Sequence, residues 1–245
     1  MSPMLIIAKR EFRSYFDSPL AYIVICLSFL ALGLMFFFLN GGFWQVDRAS
    51  MSRLFEFAPM GLSLLVVPVV TMRLLAEERR SGTLEMLITL PVKDSDVVLG
   101  KYLGALGLVL VLVLSTLVYP LVMFKFPWNL GPLDGGPVTS GYLGLVLFSS
   151  ASVAVGLLVS ALTESQAVAF FITFFVLGGL WFFGDLASRA DNATIAAVLN
   201  YVSFQSRLTN FWRGLIDSRD VIFFLSVTGL SLMMAFRALE RRKWA

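Results

Sequence analysis

The run YLGLVLFSSASVAVGLLVSAL at residues 142–162 is followed, after the four residues TESQ, by the run AVAFFITFFVLGGLWFF at residues 167–183. A membrane-spanning α-helix needs roughly 20 mostly apolar residues. Two apolar runs near that length, joined by so short a polar link, predict two spanning helices that form a tight hairpin.

The composition of the whole chain agrees with this hairpin. Of the 245 residues, 58% are hydrophobic and 14% are charged, and the mean hydropathy is +0.84. Soluble domains are typically about 45–50% apolar and about 25% charged. A water-soluble core of this length could not bury so much apolar surface, so lipid must solvate much of the chain.

Six apolar runs together predict an all-α polytopic membrane protein with six transmembrane helices. They are residues 20–39, 57–75, 102–124, 142–162, 167–183 and 221–239. Pro59, Pro68 and Pro120 lie within these runs and indicate bent helices, as packed kinks or as gating hinges. Small residues in the fourth run, such as Gly156 and Ser160, favour close approach of neighbouring helices.

The stretch before the first run, residues 1–19, is too short and too charged to span a membrane. Its apolar side chains share one face at helical spacing: Leu5, Ala8, Phe12, Tyr15 and Phe16. Lys9, Arg10 and Arg13 lie away from much of that face and can meet anionic headgroups. The pattern predicts an amphipathic helix that lies in the membrane interface.

The 19 Lys and Arg residues divide unequally between the two sides of a six-helix arrangement. Twelve fall on the side that holds the termini and the segment between the second and third runs, and seven fall on the other side. Cytoplasmic loops carry the excess of Lys and Arg, so both termini are predicted to be cytoplasmic.

Residues 77–91, EERRSGTLEMLITLP, carry the most information between the second and third runs. A charged start and a glycine precede a short helix with Leu84, Leu87 and Ile88 on one face, and Pro91 ends that helix. Such a segment has the form of a cytoplasmic docking element. An ordinary juxtamembrane loop fits the pattern equally well.

Residues 184–219, between the fifth and sixth runs, are long for a simple extracytoplasmic loop. The segment begins polar, becomes apolar at residues 195–199 and then carries Phe204, Phe211 and Trp212. This order favours short re-entrant helices in the outer interface. A folded surface loop is the alternative.

Three stretches of the sequence resemble ABC-2 type permeases. The first has the residues Glu78, Gly82, Thr83, Glu85, Pro91, Gly100 and Lys101. The second is KREF at 9–12 followed by SPLAYI at 18–23, and the third is FWRGLIDSRD at 211–220. The third stretch is most similar to the gliding-motility-associated branch of that family. In span number and order the resemblance covers the whole chain.

The resemblance implies that residues 77–91 are a coupling helix that fits a groove on a cytoplasmic ABC ATPase subunit. The implied interface consists of Glu77, Glu78, Arg80, Gly82, Thr83, Leu84, Glu85, Leu87 and Ile88. A second set is implied as an extracytoplasmic gate or partner contact: Phe211, Arg213, Asp217, Arg219 and Asp220. The implied assembly lies in a bacterial cytoplasmic membrane. It contains a second permease chain, identical or related, and an auxiliary membrane protein with a large extracytoplasmic domain.

Several absences bear on function. The chain has no histidine, and its one cysteine, Cys26, lies inside an apolar run. It also lacks a phosphate-binding loop, because Gly100-Lys101 is followed by Tyr102 and has Ser95 where the motif needs glycine. No cofactor is therefore expected in this chain, and ATP with Mg is expected on the partner ATPase. Nucleic acid is not expected as a partner.

Three other functions would each require a different sequence pattern or none that differs from a permease. A secondary transporter should carry ionisable residues at mid-bilayer depth or discontinuous spans in inverted repeats, and neither pattern is present. A membrane-embedded enzyme would need a catalytic constellation, which the chain lacks. A membrane scaffold subunit without a transport substrate cannot be separated from a permease by sequence.

The predicted topology can be tested with single cysteines at Ser2 and Gly135 in a Cys26→Ser background. We expect a membrane-impermeant maleimide added to intact cells to label position 135 but not position 2, because the excess of basic residues holds the termini inside. Labelling at position 2 from outside would reverse the assignment.

Overall fold

The computed structural model describes residues 2–37, 51–82, 93–125 and 134–240. Within these ranges the chain is helical and has no β-strand, which confirms the all-α prediction. Five helices are long and apolar enough to cross a membrane. The number rises to six if α1 (Pro3–Asp17) and the helix after it, which meet at 72°, are counted together as one span.

The described residues form the following helices in chain order. The first half contains α2 (Pro19–Phe37), α3 (Ser52–Gly61), a π-helical turn (Leu62–Val66), α4 (Val67–Thr71), α5 (Ala76–Arg80), α6 (Asp94–Ser115) and α7 (Val118–Lys125). The second half contains α8 (Gly135–Leu162), α9 (Gln166–Ser188), α10 (Ala193–Val202), α11 (Phe204–Trp212) and α12 (Ser218–Glu240).

The central helix of the bundle is α8. Of its most apolar stretch, 72% is buried inside the protein, against 28% for α9 and 17% for α12. Glycines on α8 allow this burial, because Gly144 lies directly under the ring of Phe211 and Gly156 lies against Thr71. The large side chains exposed on α9 and α12 are suited to contact with lipid or another chain.

The second span, Leu54–Arg80, is irregular where it packs on α8. Pro59 lies inside α3, and Pro68 is the second residue of α4, just after the π-helical turn. The missing N–H and bulky ring of each proline disturb regular hydrogen bonding. A non-helical turn then separates α4 from α5. The amides of Leu75 and Ala76 would be unpaired there, but both donate to Ser160 Oγ on α8 at 3.1 Å.

The amphipathic helix α1 packs along α6 as well as presenting side chains to the surface. Gly100, Gly104 and Gly107 form a groove on α6 that holds Ile7, Glu11 and Phe12 of α1. The expected apolar face is therefore divided: Tyr15 is buried in the protein, whereas Leu5 is half exposed. Helix α1 is thus fixed to the bundle by close packing on glycine.

The packing of α8 against the second span gives a prediction about Gly156. A methyl group added there would overlap the Thr71 side chain, whereas one added at Gly229 on α12 would meet no atom within 4 Å. We expect Gly156→Ala to lower the free energy of unfolding by about 1–3 kcal/mol, as overpacking does. The matched change Gly229→Ala should be neutral or slightly stabilising.

Thermal unfolding of both variants in the same detergent measures this difference. Equal melting temperatures for the two variants would contradict the packing described for α8.

Candidate functional site

A buried lysine is the centre of the first candidate site. Lys101 lies on the second turn of α6 and is 1% exposed. Its ammonium group forms ion pairs with Glu11 of α1 and with Glu78 of α5, the latter at 2.8 Å. One cation thus connects α5 and α6 to α1, which lies far from them in sequence.

The charges around Lys101 balance one another. Arg10 lies 3.9 Å from the Glu78 carboxylate, which adds a second, more exposed cation to the two carboxylates. A buried ammonium is tolerated in a protein when it is paired and hydrogen-bonded, and removal of one partner is strongly unfavourable. We call Arg10, Glu11, Glu78 and Lys101 the Lys101 cluster.

Further polar contacts fix α5 beside the cluster. Arg73 and Glu77 form an ion pair at 3.1 Å, and Arg79 Nη1 donates to the Thr163 carbonyl in the α8–α9 turn at 3.2 Å. The Tyr15 hydroxyl donates to the Val70 carbonyl at 3.0 Å. Burial raises the pKa of Tyr15 well above its ordinary value, so this hydroxyl stays protonated and remains a donor.

A polar cavity of about 300 Å³ lies between α1 and α5, next to the cluster. Its walls include Glu11, Tyr15, Arg73, Glu77 and Lys101. The first turn of the predicted coupling segment therefore borders a polar pocket on one side and buried ion pairs on the other.

The residues predicted to form the ATPase-coupling interface fall into two groups. Glu78 belongs to the Lys101 cluster, Glu77 pairs with Arg73, Arg80 is exposed, and Gly82 has a φ of +70°, which glycine adopts without strain. The others lie outside the described residues: Thr83, Leu84, Glu85, Leu87 and Ile88.

At the opposite end of the bundle, Asp220 forms a second buried ion pair. It is 1% exposed, and its carboxylate accepts from Arg207 Nη1 at 2.9 Å and from Asn210 Nδ2 at 2.8 Å. The Arg207 guanidinium also lies over the rings of Tyr201 and Phe223, at 4.5 and 5.1 Å from their centroids. These contacts join α10 and α11 to the start of α12.

The predicted extracytoplasmic set divides into core and surface residues. Phe211 is fully buried against α8, and its carbonyl accepts a hydrogen bond from Ser140 Oγ at 2.7 Å. Arg213, Asp217 and Arg219 are exposed, and Asp217 Oδ1 accepts from the Arg219 amide at 2.9 Å. Arg213, Asp217 and Arg219 are therefore accessible to a partner. Phe211 and Asp220 are buried, and they pack or pair within the bundle.

The ion pairs of Glu11, Lys101 and Arg207 were not predicted from the sequence, although Lys101 and Arg207 each lie on a helix among apolar residues at helical spacing. Such a position signals that a charge faces the protein and needs a partner. Across the described ranges, no group of three or more acidic or cysteine side chains could hold a metal ion.

These helices and ion pairs define the chain as a multi-pass α-helical membrane protein. Its family follows from a direct match: the family model described as "ABC-2 family transporter protein" covers residues 54–207, more than half of the chain. The chain belongs to that family and is a membrane permease subunit of an ABC transporter. Among curated proteins, none matches it significantly.

The Lys101 cluster gives a prediction about α1. We expect Lys101→Met to lower the free energy of unfolding by about 3–5 kcal/mol, because two carboxylates remain buried without their cation. The matched change Arg237→Met removes an exposed i,i+3 pair with Glu240 and should lower it by at most about 1 kcal/mol.

Thermal unfolding measures both effects, and a cysteine at Ile7 reports on α1 itself. In the parent this position packs on Gly100. In Lys101→Met it should react faster with a maleimide. Unchanged reactivity and stability would mean that the cluster does not hold α1 on α6.

Proposed function

We propose that this permease subunit converts ATP hydrolysis by a separate ABC ATPase into export or into mechanical work on the extracytoplasmic side. The observation that carries the proposal is the Lys101 cluster. Through Glu78, it joins the start of residues 77–91 to α1 and α6. A force applied to that segment reaches the bundle through buried ion pairs and not through a loose connection.

We propose that residues 83–90 form the coupling helix. Gly82 with its positive φ turns the chain at the start, and Pro91 ends the segment. A helix this short gains little stability alone in water. A groove on the ATPase supplies its order and buries Leu84, Leu87 and Ile88, each contributing roughly 1.5–3 kcal/mol if fully buried.

The proposed transmission runs from the ATPase through α5. Helix α5 is only five residues long and is held on three sides: by Lys101 of α6, by Glu11 of α1 through that lysine, and by the α8–α9 turn through Arg79. When ATP binding closes the ATPases, the displaced coupling helix moves α5, and these links pass the movement to three separate helices.

The proposed assembly pairs two permease chains, identical or related, over two cytoplasmic ATPases that hold ATP and Mg. This chain is not itself catalytic. Both termini and the Lys101 cluster face the cytoplasm of a bacterial inner membrane, in agreement with the excess of basic residues at that end.

We further propose that the segment between α9 and α12 dips into the outer interface as a re-entrant element. Helix α10 supports this because Ile195, Val198 and Tyr201 expose one apolar face. The exposed Arg213, Asp217 and Arg219 then contact the auxiliary membrane protein with a large extracytoplasmic domain that the gliding-motility branch implies. The Arg207–Asp220 pair holds that surface in place.

The coupling helix gives the test of this function. Glu85→Arg or Leu87→Asp should release the ATPase, since each change places an unfavourable group in the proposed contact with the groove. Co-purification of the ATPase with each variant measures the effect, and thermal unfolding of the permease confirms that the spans remain folded.

Glu56→Arg is the matched control, because Glu56 is exposed at the opposite end of the bundle. It should retain the ATPase at the parental level. If Glu85→Arg and Leu87→Asp also retain it, residues 83–90 are an ordinary loop and the proposed coupling fails.

A further inference from the structure

A small cavity lies inside the membrane-spanning region, between α2 and the π-helical turn of the second span. Its volume is about 110 Å³. Hydrocarbon side chains form nearly all of its wall, which includes Ala31, Leu62, Leu65 and Leu112. The polar side chain in the wall is that of Ser28, near the middle of α2.

The Ser28 hydroxyl is buried and has no hydrogen-bond partner among the described residues. Ser28 is 6% exposed, and its Oγ makes no hydrogen bond to any of the described residues. Serines on helices commonly donate to the carbonyl four residues earlier, as Ser115 does to Val111 at 2.6 Å. A buried hydroxyl without a partner is unfavourable, so the position favours an occupant that can accept or donate one hydrogen bond.

The wall chemistry determines what that occupant can be. A buried water typically makes about three hydrogen bonds, whereas the cavity wall provides only the Ser28 hydroxyl as a side-chain partner. Apolar cavities of about 150 Å³ stay dry and bind benzene-sized molecules. A charged ligand would lose its hydration without gaining a counter-ion. The remaining class is a compact, uncharged, mostly hydrocarbon molecule with one hydrogen-bonding group.

We propose that this cavity, the Ser28 cavity, is an intramembrane binding site for such a molecule, which enters from the lipid. Ala31 in the wall is also exposed at the surface of α2, which places this side of the cavity next to the lipid. The proposal concerns ligand binding by this chain alone. It stands or falls independently of the ATPase coupling.

The backbone around the cavity is suited to adapt to a ligand. The π-helical turn Leu62–Val66 lies between Pro59 and Pro68, and such turns often occur at functional sites. Gly61 lines the cavity and directly precedes the turn, and a Cβ there would meet no atom within 4 Å. This open space also provides a way to fill the site without a clash at the backbone.

The test uses a diazirine-bearing primary alkanol and its alkane counterpart as photoreactive probes. The purified chain in nanodiscs is irradiated with each probe, and labelled residues are mapped by mass spectrometry. We expect the alkanol to label residues of the Ser28 cavity in the parent. Gly61→Leu should lower that labelling by roughly tenfold or more, because the added side chain takes the ligand's volume.

Ser28→Ala tests the hydrogen bond separately. It should lower alkanol labelling by about fivefold, the effect of one lost hydrogen bond, and leave alkane labelling unchanged. Gly229→Leu is the matched control, because a side chain added there also meets open space but lies on α12. Its labelling should equal that of the parent. Should Gly61→Leu not fold, Ala31→Phe fills the same cavity from α2.

Three results would overturn the proposal. The first is alkanol labelling spread evenly over lipid-facing residues, and the second is labelling that survives both cavity-filling variants. The third is a cross-link from a photoreactive residue placed at Ala31 to a second copy of the chain, which would show that a partner side chain fills the cavity.

Discussion

The buried ammonium of Lys101 constrains the arrangement of one whole end of the protein. A charge in this position must keep its carboxylates within ion-pair distance, so Glu11 and Glu78 cannot move away from α6 independently. Buried pairs of this kind add little net stability, because desolvation offsets much of the attraction. Their effect is on geometry: α1 and α5 each have one favourable position on α6, and the segment after α5 starts from a defined point.

The small-residue surface of α8 is the second constraint, and it explains why an irregular span is tolerated. The second span carries two prolines, a π-helical turn and a break before α5, and each of these leaves backbone groups without helical partners. Ser160 Oγ accepts hydrogen bonds from the two backbone amides that the break leaves without helical partners. Gly156 lets Thr71 approach α8 closely, which brings those amides within reach of Ser160. A larger residue at position 156 or 160 would push the second span away from α8 and break these hydrogen bonds.

The parts of the fold that could be predicted are those set by local sequence. The length and composition of each apolar run are local properties. They predicted an all-α membrane protein with six spans, and the described residues contain five helices, or six with α1 and α2 counted as one span, that are long and apolar enough. The break before α5 was not predicted, because it depends on Ser160, which lies 85 positions from Leu75 in the chain. For the same reason the ion pairs of Lys101 and Arg207 were not predicted. Phe211 and Asp220, which were predicted to belong to an extracytoplasmic gate or partner contact, are buried. Thr83 to Ile88 stay a prediction, since they lie outside the described residues.

The two ends of the bundle use the same chemistry for a physical reason that applies to membrane proteins in general. Lipid tails are as apolar as leucine, so burial of hydrocarbon does not select one helix arrangement over another. Position must then come from close packing on small residues and from polar links that have no alternative partner in the bilayer. Lys101 supplies such a link where α1, α5 and α6 meet, and Asp220 supplies one where α11 meets α12. Between them α8 provides the glycine and serine surface. A displacement at either end therefore acts on specific polar links and on the close packing of α8.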